Sequence, residues 1–240
     1  MKTLKTWAAA AAMVALSGAA HAALVNRGGG MIYDTTRNIT WLADMNYART
    51  SGYATANAGG SGANVIRSDG RMGWGAATIW ANNLVYGGFS DWRLPTLNPA
   101  DTTCRYNDNP GGGFPNQYYG YDCTGGELSG LFVTDLGNKA GEHVLHQVGD
   151  TPEQIANLAL FRNVQTFVYW SGTEYAPDPN DAWNFRNTIG DQLNGGKGSA
   201  LFAVAVRPGD VAASVPEPQT LALALLALGA TVVARRRRPA

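Results

Sequence analysis

The sequence predicts a domain of the α+β class, with two main helices and a late antiparallel sheet. Apolar residues recur at helical spacing in two segments before residue 140, and runs rich in aromatic and β-branched residues dominate from residue 167 onward. Segments rich in Gly, Asn and Pro separate these elements. Helices and strands that are separated along the chain in this way are typical of α+β architecture.

Two short strands open the predicted domain. Met31–Asp34 and residues 39–43 carry apolar and β-branched side chains, and the polar turn at residues 34–38 separates them. The following stretch, residues 48–73, is rich in Gly, Ser and Asn and is predicted to be surface loop.

Two segments have the apolar spacing of an amphipathic helix. In the first, the apolar positions are Ala76, Ile79, Trp80 and Leu84. In the second, they are Leu128, Leu131, Phe132 and Leu136. Gly87 with Gly88 and Gly137 end these helices. A weaker helical turn is predicted from Thr151, because Pro152 suits the first helical position and Gln154 completes a capping box.

Three strands are predicted after this turn. They are residues 167–171, a segment around Trp183 and Phe185, and residues 201–207. Residues 188–198, with glycines at 195 and 196, are predicted to join the last two strands as a long hairpin. Four tryptophans lie within apolar patterns and are predicted to belong to the core: Trp41, Trp80, Trp92 and Trp170.

The N-terminus has the pattern of a secretory signal peptide at residues 1–22. Lys2 and Lys5 form a basic region, residues 7–16 are apolar, and Ala20 and Ala22 flank a small-x-small cleavage site. Export through the Sec translocon and cleavage by signal peptidase are therefore expected, and they place the domain at residues 23–211 in an oxidising compartment.

Residues 212–240 combine a short motif, an apolar segment and a terminal basic cluster. The motif is Val215, Pro216, Glu217 and Pro218. The cluster is Arg235, Arg236, Arg237 and Arg238. The prolines keep the motif extended, and the arginines after the apolar run at residues 221–234 are expected to stay on the cytoplasmic side. The run is shorter than the roughly 20 residues that span a bilayer, although snorkelling arginines extend its reach.

This order of elements resembles the PEP-CTERM sorting tail of exported bacterial proteins. The resemblance implies that an exosortase-type transpeptidase removes the tail. Before processing, the protein is expected in the inner membrane with its domain facing the periplasm, and afterwards at the cell surface or in the extracellular matrix. The alternative is an ordinary tail anchor.

The domain between these ends is mildly acidic. The chain has 18 basic and 18 acidic residues, and the two ends carry six of the basic ones but only one acidic residue, Glu217. Nucleic-acid binding depends on basic patches, so no nucleic-acid partner is predicted.

Cys104 and Cys123 are the only two cysteines. In an oxidising compartment they are expected to form a disulfide that closes a polar loop, with stabilisation of about 3 kcal/mol in the chain-entropy model. The alternative is a redox or metal-binding thiol pair, which neither the spacing nor a third soft ligand supports.

Several short motifs of the domain, taken in order, resemble the Lcl C-terminal domain family, also known as DUF1566. The motifs are Asp34-Thr35-Thr36, Ile39-Thr40-Trp41-Leu42, Asp69-Gly70-Arg71-Met72 with Trp74, Asp91-Trp92-Arg93-Leu94-Pro95-Thr96, Tyr169-Trp170-Ser171-Gly172-Thr173, Ala182-Trp183 and Val206-Arg207. The resemblance implies a C-type-lectin-like fold and an association with surface adhesins and glycan binding. It favours a binding module over an enzyme.

Two polar segments next to aromatic residues are candidate glycan or calcium sites, because sugars stack on aromatic faces and calcium prefers oxygen ligands. The first contains Asn107 and Asp108, with tyrosines at 118, 119 and 121 later in the same loop. The second contains Asp178, Asn180 and Asp181, just before Trp183. The alternative for both is a simple turn, since these residue types favour turns for conformational reasons. No resident cofactor or metal is otherwise predicted.

No catalytic residue is predicted. The sequence lacks the GxSxG, HExxH, P-loop and dinucleotide-binding motifs. His143 and His146 with Glu142 have the spacing of a weak metal site but are expected to be surface residues. Asp91 and Arg93 are expected to form an internal ion pair or turn. Two alternatives to binding stay open: a hydrolase that acts on matrix glycan through a carboxylate pair, and a structural matrix component without a discrete ligand.

Overall fold

The computed structural model describes residues 24–211, which form a mixed α and β domain with two antiparallel sheets. The predicted signal peptide, sorting motif and arginine cluster lie outside the described residues. In the described part of the chain, no helix is both long enough and apolar enough to cross a membrane.

Nine strands form the two sheets of the described domain. In chain order they are β1 Leu24–Gly28, β2 Met31–Asp34, β3 Ile39–Leu42, β4 Tyr106–Asp108, β5 Gln117–Tyr121, β6 Val168–Glu174, β7 Asp181–Arg186, β8 Asp191–Gly196 and β9 Val206–Pro208. The first sheet has the order β1-β2-β3-β9, and the second has the order β4-β5-β8-β7-β6.

Helical elements are few and short. The α-helices are α1 Tyr47–Thr50, α2 Tyr53–Ala56, α3 Trp74–Asn82, α4 Glu127–Ser129 and α5 Pro152–Leu158. A 3-10 turn occupies Gly62–Asn64, and a π-helix occupies Gly130–Asp135 directly after α4.

The first sheet brings the two ends of the described domain together. Thr40 pairs with Arg207 and Trp41 with Val206, so β9 lies beside β3 although the whole domain separates them along the chain. The predicted strands β2 and β3 and the turn between them are confirmed. The Asp34 carboxylate holds this turn, since it accepts hydrogen bonds from the backbone N–H of Thr36 at 3.0 Å and of Arg37 at 2.9 Å.

Helix α3 confirms the first predicted helix, but it ends at Asn82, before Leu84 and the predicted stop at Gly87 and Gly88, and its buried face differs from the prediction. Ala76, Ala77, Trp80 and Ala81 are buried, whereas the Ile79 side chain is 54% exposed. Small alanines let this helix approach the core closely, so the larger Ile79 turns outward. The second predicted helix is confirmed as α4 followed by the π-helix, and its four predicted apolar positions are fully buried.

A buried ion cluster joins the π-helix to the first sheet. Arg37 Nη1 lies 2.6 Å from the Asp34 carboxylate and 2.5 Å from that of Asp135, and Trp41 Nε1 donates to Asp34 at 3.3 Å. Gly130 lies against the Arg37 guanidinium, because a Cβ placed there would come within 2.8 Å of Arg37 Cζ and Nε. Burial raises the pKa of Asp135 to about 6.

The capping box at α5 forms as predicted. Gln154 N donates to Thr151 Oγ1 at 3.1 Å, Thr151 N donates to Gln154 Oε1 at 3.0 Å, and Pro152 opens the helix. This element is determined locally, since every group in it lies within one turn.

The prediction of surface loop at residues 48–73 is correct for the exposed, irregular residues 57–61 and wrong for most of the remainder. Helices α1 and α2 and the 3-10 turn lie there, and Ala48, Ala54 and Met72 are fully buried. Four-residue helices are too short to show a helical period. Met72 is held by a distant segment, since it exchanges backbone hydrogen bonds with Leu201 at 2.7 and 2.9 Å.

Three further predictions about strands need correction. Residues 188–198 are not a plain connection, because β8 lies within them and pairs with β7 along its whole length. The predicted strand at residues 201–207 is reduced to β9, as residues 201–205 cross between the two sheets. The predicted polar loop between the cysteines contains the hairpin β4–β5.

The core lies between the sheets and the helices. The prediction that the four tryptophans belong to it is confirmed, with exposures of 0% for Trp41, 3% for Trp80, 2% for Trp92 and 0% for Trp170. Phe132 stacks on Phe185 with ring centroids 5.2 Å apart, which packs the π-helix against the second sheet.

Candidate functional site

The disulfide between Cys104 and Cys123 is present, as predicted. It closes the base of the β4–β5 hairpin, whose residues have few apolar contacts to hold them. The Asp101 carboxylate is close to both sulfurs, and Asp101, Cys104 and Cys123 form the only cluster of potential metal ligands in residues 24–211. The Asp101 carboxylate accepts hydrogen bonds from the backbone N–H of Thr103, Thr124 and Gly125 at 2.6–3.0 Å. With oxidised sulfurs and a satisfied carboxylate, the cluster is structural.

A cavity of about 280 Å³ on the second sheet takes residues from the first predicted ligand segment and from beside the second. Strand β4 contributes Asp108 from the first segment, and β7 contributes Trp183 from beside the second. The complete lining is Asp108, Gln117, Tyr119, Tyr175, Trp183, Leu193 and Asn194. The strand order places β8 between β5 and β7, which brings these side chains into one cavity.

Aromatic side chains form the walls of this cavity. Tyr175 packs edge-on against Trp183, with ring centroids 5.5 Å apart and planes at 73°. Tyr119 is 38% exposed, while Trp183 is only 1% exposed. The buried Trp183 Nε1 has no hydrogen-bond partner among the described residues. A buried donor without an acceptor is unfavourable by about 1–3 kcal/mol.

Carboxylate groups lie around the Tyr175 hydroxyl at the cavity. Burial raises the pKa of the Tyr175 hydroxyl, and the carboxylates of Asp108, Asp181 and Asp178 raise it further, since phenolate beside them is disfavoured. The hydrogen bond from Asn194 opposes this rise. Carboxylates from both predicted segments therefore act on one hydroxyl group.

Other residues of the two segments are not brought into the cavity. Asn107 pairs with Tyr118 across the hairpin and does not line it. Asp178 and Asn180 form a turn, in which Asp178 Oδ1 accepts from Asn180 N at 2.9 Å and from Asn180 Nδ2 at 3.1 Å. The turn interpretation thus applies to these residues. The carboxylates of Asp108, Asp178 and Asp181 do not come within ligand distance of one common ion.

Sequence reasoning missed four residues of the cavity. They are Gln117, Tyr175, Leu193 and Asn194. Tyr175 carries the one available signal, an aromatic residue just before the Asp178 turn. The sequence pattern places Asn194 in a hairpin turn, because nothing local distinguishes its strand from a Gly-rich connection.

An aromatic strip on the hairpin continues from the cavity. Tyr106 lies between Tyr119 and Tyr121, with ring centroids at 5.9 and 6.5 Å. Arg105 lies over the Tyr121 ring at 5.1 Å and pairs with Asp122 at 2.7 Å. This strip, Tyr106, Tyr119 and Tyr121, offers an exposed aromatic surface next to the cavity mouth.

The residues considered for metal binding or catalysis form ion pairs or lie exposed on the surface. His146 Nδ1 lies 2.9 Å from Glu142 Oε2, and both histidines are exposed in an irregular segment and not on a helix. The predicted pairing of Asp91 with Arg93 is wrong. Asp91 pairs with Arg207 of β9 at 2.8 Å, and Arg93 pairs with Glu127 of α4 at 2.7 Å. The two side chains therefore contact different elements of the domain.

A larger depression of about 430 Å³ lies over α1, α2 and α3, with Tyr47, Tyr53 and Trp80 in its lining. No charged side chain lines it. A third depression, of about 290 Å³, also combines carboxylate, amide and aromatic groups, but its carboxylate, Asp69, is paired with Arg71. The 280 Å³ cavity is the candidate site because it takes residues from the segments predicted to bind a ligand, and its only charged side chain, Asp108, forms no ion pair with residues 24–211.

Comparison with protein families matches residues 30–207 to the Lcl C-terminal domain. The chain belongs to the Lcl C-terminal domain family. Residues 214–238 match the PEP-CTERM protein-sorting motif. Comparisons with curated proteins and with solved structures give no significant match. The sorting motif marks the protein for export and for an exosortase.

The motifs that carried the Lcl resemblance form the core behind the cavity. Trp92, Leu94 and Trp170 are buried, and Gly172 N donates to Pro95 O at 2.8 Å, which joins the two most specific motifs. Ser171 Oγ donates to Trp183 O at 2.7 Å. Of the residues in these motifs, Trp183 alone lines the cavity. The motifs of the Lcl family thus supply core residues and Trp183, and the other lining residues lie outside these motifs.

Proposed function

We propose that this Lcl domain is a binding module that holds glycan in the cavity and acts in adhesion or in the extracellular polysaccharide matrix. The observation that carries the proposal is the convergence of Asp108, Tyr175 and Trp183, from separate segments, on one aromatic cavity. Rigid aromatic faces with a few polar groups are typical of small-ligand sites, and the volume accommodates one ring-sized group.

The proposed site has the properties of a sugar-binding surface. Tyr175 and Tyr119 offer ring faces for the apolar face of a sugar, and Asn194 and Asp108 offer hydrogen-bonding groups for its hydroxyls. The exposed strip on the hairpin extends this surface beyond the cavity, which suits a chain of sugars better than a single one. A C-type-lectin-like relationship is part of the same proposal.

The proposal includes the route to the cell surface. Signal peptidase would cleave the N-terminal segment after Sec export, and the tail would hold the domain on the periplasmic face of the inner membrane until an exosortase removes it. The intact mass and location of the protein test this route. With Pro216, Glu217 and Pro218 replaced by alanine, the protein should keep its tail and stay in the inner membrane. Identical processing of both forms would contradict it.

The binding role is tested with the purified protein on a glycan array and on extracellular polysaccharide from its host. Tyr175→Ala should abolish binding, because it removes one wall of the cavity. The matched control is Tyr53→Ala, which removes a tyrosine from the larger depression and should leave binding intact.

The same samples distinguish the alternatives. Reducing ends should not accumulate in the polysaccharide, since the protein is proposed to bind without turnover. Release of sugar that Asp108→Asn or Asp181→Asn abolishes would favour the hydrolase. Absence of both binding and release would favour a structural matrix component.

A further inference from the structure

The charge of the cavity is not neutralised by the protein. Asp108 is the only acidic or basic side chain in the lining, and its carboxylate has no hydrogen bond or ion pair with any residue from 24 to 211. The neighbouring Asp181 carboxylate likewise has no such partner in that range. Two unpaired carboxylates near one cavity favour a ligand that brings a positive charge.

Two cations next to strands β7 and β8 are engaged with other groups. Lys197 Nζ lies 3.3 Å from Glu174 Oε1, donates to Pro179 O at 2.6 Å and sits 4.5 Å from the centre of the Trp74 ring. Arg186 makes a two-pronged pair with Asp191 at 2.6 and 2.9 Å. Neither side chain lines the cavity. An anionic sugar would therefore meet Asp108 without any compensating cation, and this disfavours it.

The aromatic walls suit an ammonium group. Tyr119 and Tyr175 lie on the lining with Asp108, so a cation in the cavity would contact aromatic rings and a carboxylate together. The Asn194 amide lies in the same lining and can hydrogen-bond a hydroxyl group. An amino sugar carries hydroxyl groups beside its ammonium group, which a metal ion or a simple amine lacks.

We infer that the cavity selects an unacetylated amino sugar, held by Asp108 and the tyrosines through its ammonium group and by Asn194 through a hydroxyl group. This inference rests on the proposed glycan-binding function and names its ligand class. It places the protein on polysaccharides that contain free hexosamine. N-acetylation removes the positive charge and should weaken binding without blocking the sugar ring.

The test compares oligosaccharides of equal length in calorimetric titrations of the full-length chain in slightly acidic buffer. Glucosamine oligomers should bind about tenfold or more tightly than N-acetylglucosamine oligomers, as one cation–π contact and one charge-assisted contact are lost on acetylation. A neutral glucose oligomer should resemble the acetylated one, and a sulfated oligomer should bind most weakly.

Two matched variants locate the effect. Asp108→Asn should weaken binding of the glucosamine oligomer far more than binding of the acetylated oligomer, because the amide keeps a hydrogen-bonding group and loses the charge. The ratio of the two affinities should therefore fall to near one. The control is Asp122→Asn, which removes the same charge from the same hairpin but from a carboxylate paired with Arg105. This variant should keep the full preference.

Each outcome has a distinct meaning. Equal affinities for glucosamine and acetylated oligomers in the unsubstituted protein would overturn the inference and leave glycan binding standing. Equal losses in Asp108→Asn and Asp122→Asn would also overturn it, because attraction would then come from overall charge. Neutral-sugar binding that requires added calcium chloride would overturn it as well. Failure to bind any oligomer or the host polysaccharide would overturn the inference and the proposed function together.

Discussion

Replacing Gly130 with alanine tests the buried cluster around Arg37. Gly130 has ordinary right-handed helical angles, φ −62° and ψ −41°, so alanine fits the backbone there. On helix propensity alone, the change should stabilise the domain by about 1 kcal/mol. The added Cβ, however, would come within 2.8 Å of Arg37 Cζ and Nε. The guanidinium must move, and Asp34 and Asp135 then lose their cation.

The two effects differ enough in size to predict the sign. Breaking a buried ion pair by removal of one partner costs about 3–5 kcal/mol. The propensity gain offsets about 1 kcal/mol of this, and the net loss of unfolding free energy is at most about 2–4 kcal/mol, since the guanidinium is displaced and not removed. With a urea m-value of about 2 kcal/mol per molar, the midpoint should fall by up to about 1–2 M. Fluorescence of the buried tryptophans follows the transition.

A double-mutant cycle gives the sharper form of this test. In an Arg37→Ala background no guanidinium opposes the new methyl group, and Gly130→Ala should there be neutral or stabilising. The sign of the effect should therefore reverse between the two backgrounds. Equal destabilisation in both, or no destabilisation in the unsubstituted protein, would refute the steric argument.

Three further predictions concern the same domain. Because burial raises the pKa of Asp135 from 3.8 to about 6, the folded state keeps this proton where the unfolded state has released it, and unfolding free energy should fall as pH rises through that window. The fall in unfolding free energy is about 3 kcal/mol at most. Urea melts at several pH values should show this fall in the unsubstituted protein and not in Asp135→Asn, and an equal pH dependence in the two proteins would contradict the assignment. Replacing Cys104 and Cys123 by serine should lower the unfolding free energy by about 3 kcal/mol in the chain-entropy model. Urea melts with and without reductant measure this loss. A loss under about 1 kcal/mol would show that contacts within the hairpin hold it without the disulfide. Gly120→Ala should lower the unfolding free energy by about 1–3 kcal/mol, because Gly120 has φ +89° and the alanine Cβ would overlap the Tyr106 ring. The near-UV circular dichroism should change as the ring moves. An unchanged spectrum would count against this packing.

Elements that depend on local signals were predictable. The β2–β3 hairpin combines two apolar runs with an Asp-led turn, and the α5 capping box is complete within four residues. The apolar positions of the second helix were also correct, although the wider π-helical turn at residues 130–135 follows from its packing and not from its period. The disulfide needed only two cysteines and an oxidising compartment.

Elements that depend on distant partners were not predictable. Helices α1 and α2 are four residues each, and their burial depends on contacts with segments far along the chain. Strand β8 has the sequence of a Gly-rich connection and becomes a strand because β7 and β5 flank it. Asp91 and Arg93 suggested a local pair, but each found a partner of opposite charge in another element.

The sequence by itself determined the sorting motif, the crosslink and the family, and it singled out Asp108 and Trp183. Only the tertiary structure places Asp108 and Trp183 at one cavity and holds Asp178 and Asn180 in a turn. The physical reason is that side-chain type and spacing act over a few residues, whereas a cavity is made by strand order. Insertion of β8 between β5 and β7 brings Asp108 and Trp183 to one cavity, and no local pattern specifies that insertion.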